Sequence, residues 1–169
     1  GLFGLMNTFA RSLGGVFGDR AGMKWGLRGR VWFLGGTLLL EGLALMLFSQ
    51  MSILLLAVGA MIIFSLFTQM CEGATFSIVP FVNRRLLGPV AGIVGAGGNA
   101  GAVAAGFLFR TEALSTQQAL FYLGVVVALA SSLVFLVRFS AEDEAIEQQH
   151  LEQALARRNS ASSPTQETG

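Results

Sequence analysis

The chain is poor in what enzymes and metal proteins need. Of its 169 residues one is cysteine and one is histidine, and only 12% are charged. Cys71 lies inside an apolar run, so it forms no internal disulfide and reads as packing. His150 stands among Gln and Glu near the C-terminus, where it reads as a solvated side chain. From these two residues no set of nucleophile, base and orienting group can be assembled, and no metal cluster. No enzyme activity, cofactor or metal is expected, and no nucleic-acid partner, while the net charge of +1 says little about partners. An initiator methionine, a polar lead-in and the charged start of a signal peptide are missing too. The first residues already follow a helical pattern, so the expectation is the C-terminal part of a longer polypeptide.

What fills the sequence is apolar. At 53% hydrophobic residues and a mean hydropathy of +0.65, the composition is that of an integral membrane protein of all-α class, embedded in a lipid bilayer. About 20 apolar residues cross the hydrocarbon core. Such runs occur near 31–50, 53–82, 88–110 and 119–138, with a shorter one at 1–18, so five transmembrane helices are expected, the first truncated. Basic residues cluster in alternate connections: Arg20, Lys24, Arg28 and Arg30 in the first, Arg84 and Arg85 in the third, Arg138 after the last span. Seven basic residues against one, Arg110, place those connections and the C-terminus in the cytoplasm, and the membrane is expected to be a plasma (inner) membrane. The expected units are the bundle at 1–138, a charged helix at 139–158 opened by a Ser140/Asp143 capping box, and a disordered, Ser- and Thr-rich tail at 159–169.

Arg11 is set apart by its surroundings. At helical spacing its neighbours are Gly4, Asn7, Thr8, Gly14, Gly15 and Gly18, a small and polar face, while Leu5, Phe9, Leu13, Val16 and Phe17 fill the other side. A guanidinium at bilayer depth costs about 2.5–3.5 kcal/mol on the mild insertion scale, so it faces a bundle interior or an aqueous cavity and has a partner. That partner is an anionic ligand, or else a carboxylate or helix carbonyls holding a structural arginine. A polar stripe of Ser65, Thr68, Gln69, Glu72 and Thr75 marks the third span. Glu72 reads either as a proton carrier or as the fixed partner of a basic group such as Arg11. Glu41 stands mid-span in the second helix with no partner legible.

The run from Gly88 to Phe109 holds seven glycines, and Gly88, Gly92, Gly95, Asn99, Ala102 and Gly106 share one face. Small-xxx-small spacing lets such a face approach another backbone closely. Asn99 is expected in the bundle interior, as a ligand or as an interhelical hydrogen bond.

The first connection reads Gly15-x-x-x-Asp19-Arg20-x-Gly22-x-Lys24, which resembles the loop signature of the major facilitator superfamily. Three further stretches resemble the nitrate/nitrite porters of that superfamily. They are Asn7-x-x-Ala10-Arg11-x-x-Gly14-Gly15, Gly73-Ala74-Thr75-Phe76-x-x-Val79-Pro80-Phe81, and Ala91-Gly92-x-x-Gly95-x-Gly97-Gly98-Asn99-x-Gly101. The resemblance covers about Gly1 to Arg138. It implies that the five spans are helices eight to twelve of a twelve-helix transporter, with the N-terminal half of the same chain missing. It also implies that Arg11 clamps nitrate or nitrite and that Asn99, Asn7, Gly95 and Gly98 serve substrate binding. Gly15, Asp19, Arg20 and Gly22 would form a loop motif tied to conformational change. Leu13 departs from the family, which commonly has proline there. The function so implied is secondary active nitrate transport, coupled to protons or to nitrite exchange. Alternatives are transport of another small anion, or a non-transporting sensor or anchor subunit.

Overall fold

A computed structural model describes residues 2–82 (side chains from Asn7 onward), 86–110 and 113–140. In the tail it describes 142, 144–146, 148, 149, 152, 153 and 156. Asn83, Arg84 and Arg85, the Asp143 half of the expected capping box, His150 and the expected tail 159–169 lie outside the described residues. Four helices follow in order: α1 (Leu2–Ser49), α2 (Leu54–Val82), α3 (Leu87–Arg110) and α4 (Thr116–Val134). All four are long and apolar enough to cross a membrane, and no strand occurs among the described residues.

α1 is two helices joined at one residue. Gly26 has φ 67° and ψ −159°, a conformation that costs a side-chain-bearing residue dearly, and the chain reverses there. The first limb, 2–25, and the second, 27–49, run back along each other. Gly22 lies against Arg30, and the Phe17 and Phe33 rings are 6.3 Å apart. The limbs, α2, α3 and α4 therefore supply the five apolar segments expected. The sequence reading ended the first helix at Gly18 and began the next at Val31. In the structure the connection between them is itself helical, because Arg, Lys, Met and Leu are good helix formers and a single glycine suffices for the turn.

Two close crossings hold the bundle. A Cβ on Gly14 would collide with the Met70 carbonyl, and one on Gly73 with the Arg11 carbonyl, so the first limb of α1 and α2 touch backbone to backbone. The second limb crosses α4 in the same way at Gly42 and Gly124. With no hydrophobic drive between helices in lipid, such contact is what packs them. The buried set is correspondingly small: Ala10, Ala44, Ala60, Ala74 and Ala119 join Leu27 and Leu45. α4 opens on a capping box that the sequence reading did not pick out. The Gln118 backbone N–H donates to Ser115 Oγ at 3.3 Å, and the Ser115 N–H to Gln118 Oε1 at 3.0 Å.

α3 differs from the rest. None of its residues is buried, Asn99 is exposed, and a Cβ on any of its glycines would meet nothing within 4 Å. Within this chain the expected interior position of Asn99 is therefore not met. The physical reason is that α3 lies at the margin, brushing α2 and α4, and no described element covers its glycine face.

Candidate anion-binding groove

The crossing at Gly14 and Gly73 determines what Arg11 can reach. With the backbones in contact there, Arg11 on the first limb and Glu72 on α2 face each other across the crossing, and the guanidinium Nη2 donates to Glu72 Oε1. The same guanidinium lies over the Phe76 ring, 5.5 Å from its centroid, one helical turn beyond Glu72. Both charged side chains keep more than 40% of their surface exposed. The pair is thus neither sealed in the core nor turned out on a bare face.

Beside it runs an open groove of about 690 Å³ between the first limb and α2. Arg11, Ser12 and Gly15 line one wall and Gly73, Phe76 and Ser77 the other. Ser12 and Ser77 spend their hydroxyl protons on carbonyls of their own helices, at 2.8 Å each. Pro80 cannot donate to the Phe76 carbonyl, which leaves α2 one backbone bond short along this wall.

A second ion pair lines the far end of the groove. Arg30, buried on the second limb, donates to Asp19 on the first and lies 4.7 Å from the Phe81 ring centroid. Arg30 thereby ties both limbs of α1 to the end of α2. Arg20 instead turns toward the Phe17 ring, 5.7 Å away. Sequence reasoning counted Arg30 only as a basic residue of a connection. The signal that could have found it is its place eleven positions from Asp19 across a glycine turn.

Of the other candidates, Gly15 lines the groove and Gly22 packs against Arg30. Asn7 is exposed and is not among the lining residues, and Asn99, Gly95 and Gly98 stay on the uncovered face of α3. Glu41 finds a partner within the chain, since Thr68 Oγ1 lies 3.0 Å from its Oε1. No group of three or more metal-ligating side chains occurs among the described residues.

Chemically, the groove presents a planar, permanently charged fork whose present partner is a carboxylate, another flat group with two oxygens on one edge. Any small planar oxyanion offers Arg11 the same edge.

No protein-family model and no solved structure matches the chain. Curated proteins do. The sequence is 40% identical over 131 residues to the high affinity nitrate transporter 2.5 of Arabidopsis thaliana, a match covering 78% of this chain and 26% of that protein. It is 41% identical over 143 residues to nitrate transporter 2.2 of Chlamydomonas reinhardtii, covering 80% and 28%. A cyanobacterial relative, the nitrate/nitrite transporter NrtP of Picosynechococcus, is 38% identical over 105 residues, covering 60% and 18%. The chain thus spans about a quarter of the length of the first two relatives.

Proposed function

This chain belongs to the nitrate/nitrite porter family of the major facilitator superfamily, and from that premise we propose that the complete protein moves nitrate or nitrite across a membrane, with Arg11 as an anion ligand. The observation that carries the reading is the half-exposed Arg11–Glu72 pair opening on a groove in an apolar bundle. Nitrate is flat, carries its charge over three oxygens and accepts hydrogen bonds in its plane. It can take the place of the Glu72 carboxylate on the guanidinium edge, while the Phe76 ring backs the cation.

In this reading the five apolar segments are the last five of twelve helices, with substrate held near the midplane between two halves that rock against each other. Asn99, Gly95 and Gly98 then meet the substrate path from α3, and Asn7 from the open side of the first limb. The Gly15-to-Gly22 motif works as a latch, since Asp19 grips Arg30 across the Gly26 turn and separation of that pair frees the limbs. Arg20, on the same motif, sits at the membrane edge. Coupling runs through protons, with Glu72 as the displaced carboxylate, or through nitrite exchange. In this reading that end and the C-terminus face the cytoplasm, which the basic residues of the Gly26 turn and Arg138 support, and the membrane is a plasma (inner) membrane.

The test is isotope-labelled nitrate uptake by the complete protein in proteoliposomes. Arg11→Lys keeps the charge but loses the planar fork, and uptake efficiency should fall by about 10- to 100-fold, the scale of a charged hydrogen bond. Unchanged affinity and rate would remove Arg11 as the ligand. Competition by other flat oxyanions in the same assay separates nitrate from a different small-anion substrate.

A further inference from the structure

Glu41 is an intramembrane carboxylate that the anion site does not use. It stands in the middle of the second limb of α1 among buried neighbours, with Thr37, Ala44 and Leu45 on its own helix and Cys71 on α2. Its interactions are with uncharged donors. Thr68 Oγ1 approaches Glu41 Oε1 at 3.0 Å, and the Cys71 side chain on α2 lies close to both Glu41 and Thr37. Among the described residues no cation pairs with it. The ionisable groups facing this spot are Cys71 and Glu72 on α2 and, beyond Glu72, Arg11 on the first limb. α4 brings Gly124 and Ala128 against the adjacent Gly42 and adds no ionisable group there. A bare carboxylate at this depth is expensive unless a charge or several strong donors offset it, and neither is present.

The hydrogen-bond count around Thr68 points the same way. Its hydroxyl has one hydrogen, yet Oγ1 lies 3.0 Å from two acceptors, Glu41 Oε1 and the Phe64 carbonyl oxygen. One hydrogen can be shared between two acceptors, as at Thr37, whose Oγ1 lies 2.9 Å from both the Phe33 and Leu34 carbonyl oxygens. A protonated Glu41 gives each Thr68 contact its own hydrogen, with Thr68 donating to Phe64 and the Glu41 carboxyl donating to Thr68 Oγ1. When that hydrogen leaves, Thr68 can turn and donate to the carboxylate, so the same hydroxyl serves both states. The next residue, Gln69, leaves its buried Oε1 with no hydrogen-bond partner. Thr68 and Glu72 are one turn apart on α2, so the site adjoins the carboxylate that an arriving anion displaces from Arg11.

We propose that Glu41, with Thr37, Thr68 and Cys71, forms a proton-binding site inside the membrane that loads the proton accompanying the anion on Arg11. The use of the proton rests on the nitrate-transport reading, whereas its binding does not. The proton joins a Glu41 carboxylate oxygen on loading and leaves from it on release, and no other bond is made or broken.

Two measurements on the full-length protein separate these parts. Infrared spectroscopy of the membrane-embedded protein should show a protonated carboxyl band that disappears in Glu41→Gln. In Thr68→Val, which removes the hydroxyl and keeps the acid, the band should shift. A band unchanged in either variant overturns the site, and the Val variant decides if the Gln variant fails to fold. In proteoliposomes, one pH unit should drive about tenfold nitrate accumulation in a one-to-one symport. Glu41→Gln should exchange labelled nitrate across the membrane yet accumulate none. Accumulation equal to wild type in that variant, or a wild type that exchanges nitrate and ignores the gradient, overturns the coupling role. A wild type that carries no nitrate sinks the transport reading instead, and the infrared result still decides Glu41.

Discussion

α2 and α3 are both apolar and both carry glycine and polar side chains, yet the chain treats them differently. α2 is gripped: Gly73 meets the first limb backbone to backbone, and Thr68 reaches Glu41 on the second. α3, with more glycine, buries nothing. Small-residue spacing says that a close approach is permitted, and only a facing helix makes it happen. The chemistry of the groove follows the gripped helix, because a fixed crossing is what puts Glu72 and Phe76 around Arg11.

The contrast can be broken with one substitution made twice. Gly73→Ala places a methyl group into the Arg11 carbonyl and within 2.9 Å of the Gly15 nitrogen. It should destabilise the bundle by about 1–3 kcal/mol, read from detergent unfolding, because neither backbone can give way without parting the crossing. An unchanged unfolding curve would mean that the crossing is looser than described. It should also weaken anion binding, since Arg11 and Glu72 are aligned by the same contact.

Gly95→Ala is the counterpart and carries the smaller effect. Nothing lies within 4 Å of the added methyl group, so this chain should lose no stability and should gain up to about 1 kcal/mol from the better helix former. In the complete protein the expectation reverses if α3 packs there against another helix, and nitrate uptake should drop. Uptake equal to wild type would leave the glycine face of α3 without a role.

Helix positions were legible where long apolar runs ended at clear breaks. The run read as 53–82 is α2 at Leu54–Val82, and 88–110 is α3 at Leu87–Arg110. The first turn was not, because basic residues mark a membrane edge without saying whether the chain there is loop or helix. Arg11 stood out from its helical neighbours alone. Its pairing with Glu72, 61 positions away, was one alternative among several, since no local pattern fixes which helices cross. Glu41 and Thr68 could be seen as polar residues in two spans, but their contact exists only once the second limb packs on α2.

In the proposed transport reading the anion and the Glu72 carboxylate compete for one guanidinium. Equilibrium binding of labelled nitrate to the purified full-length protein, wild type against Glu72→Gln, tests it most directly. Removing the competing charge should tighten binding by about tenfold, since the anion no longer has to displace a bound partner. Equal or weaker binding in Glu72→Gln would contradict the account.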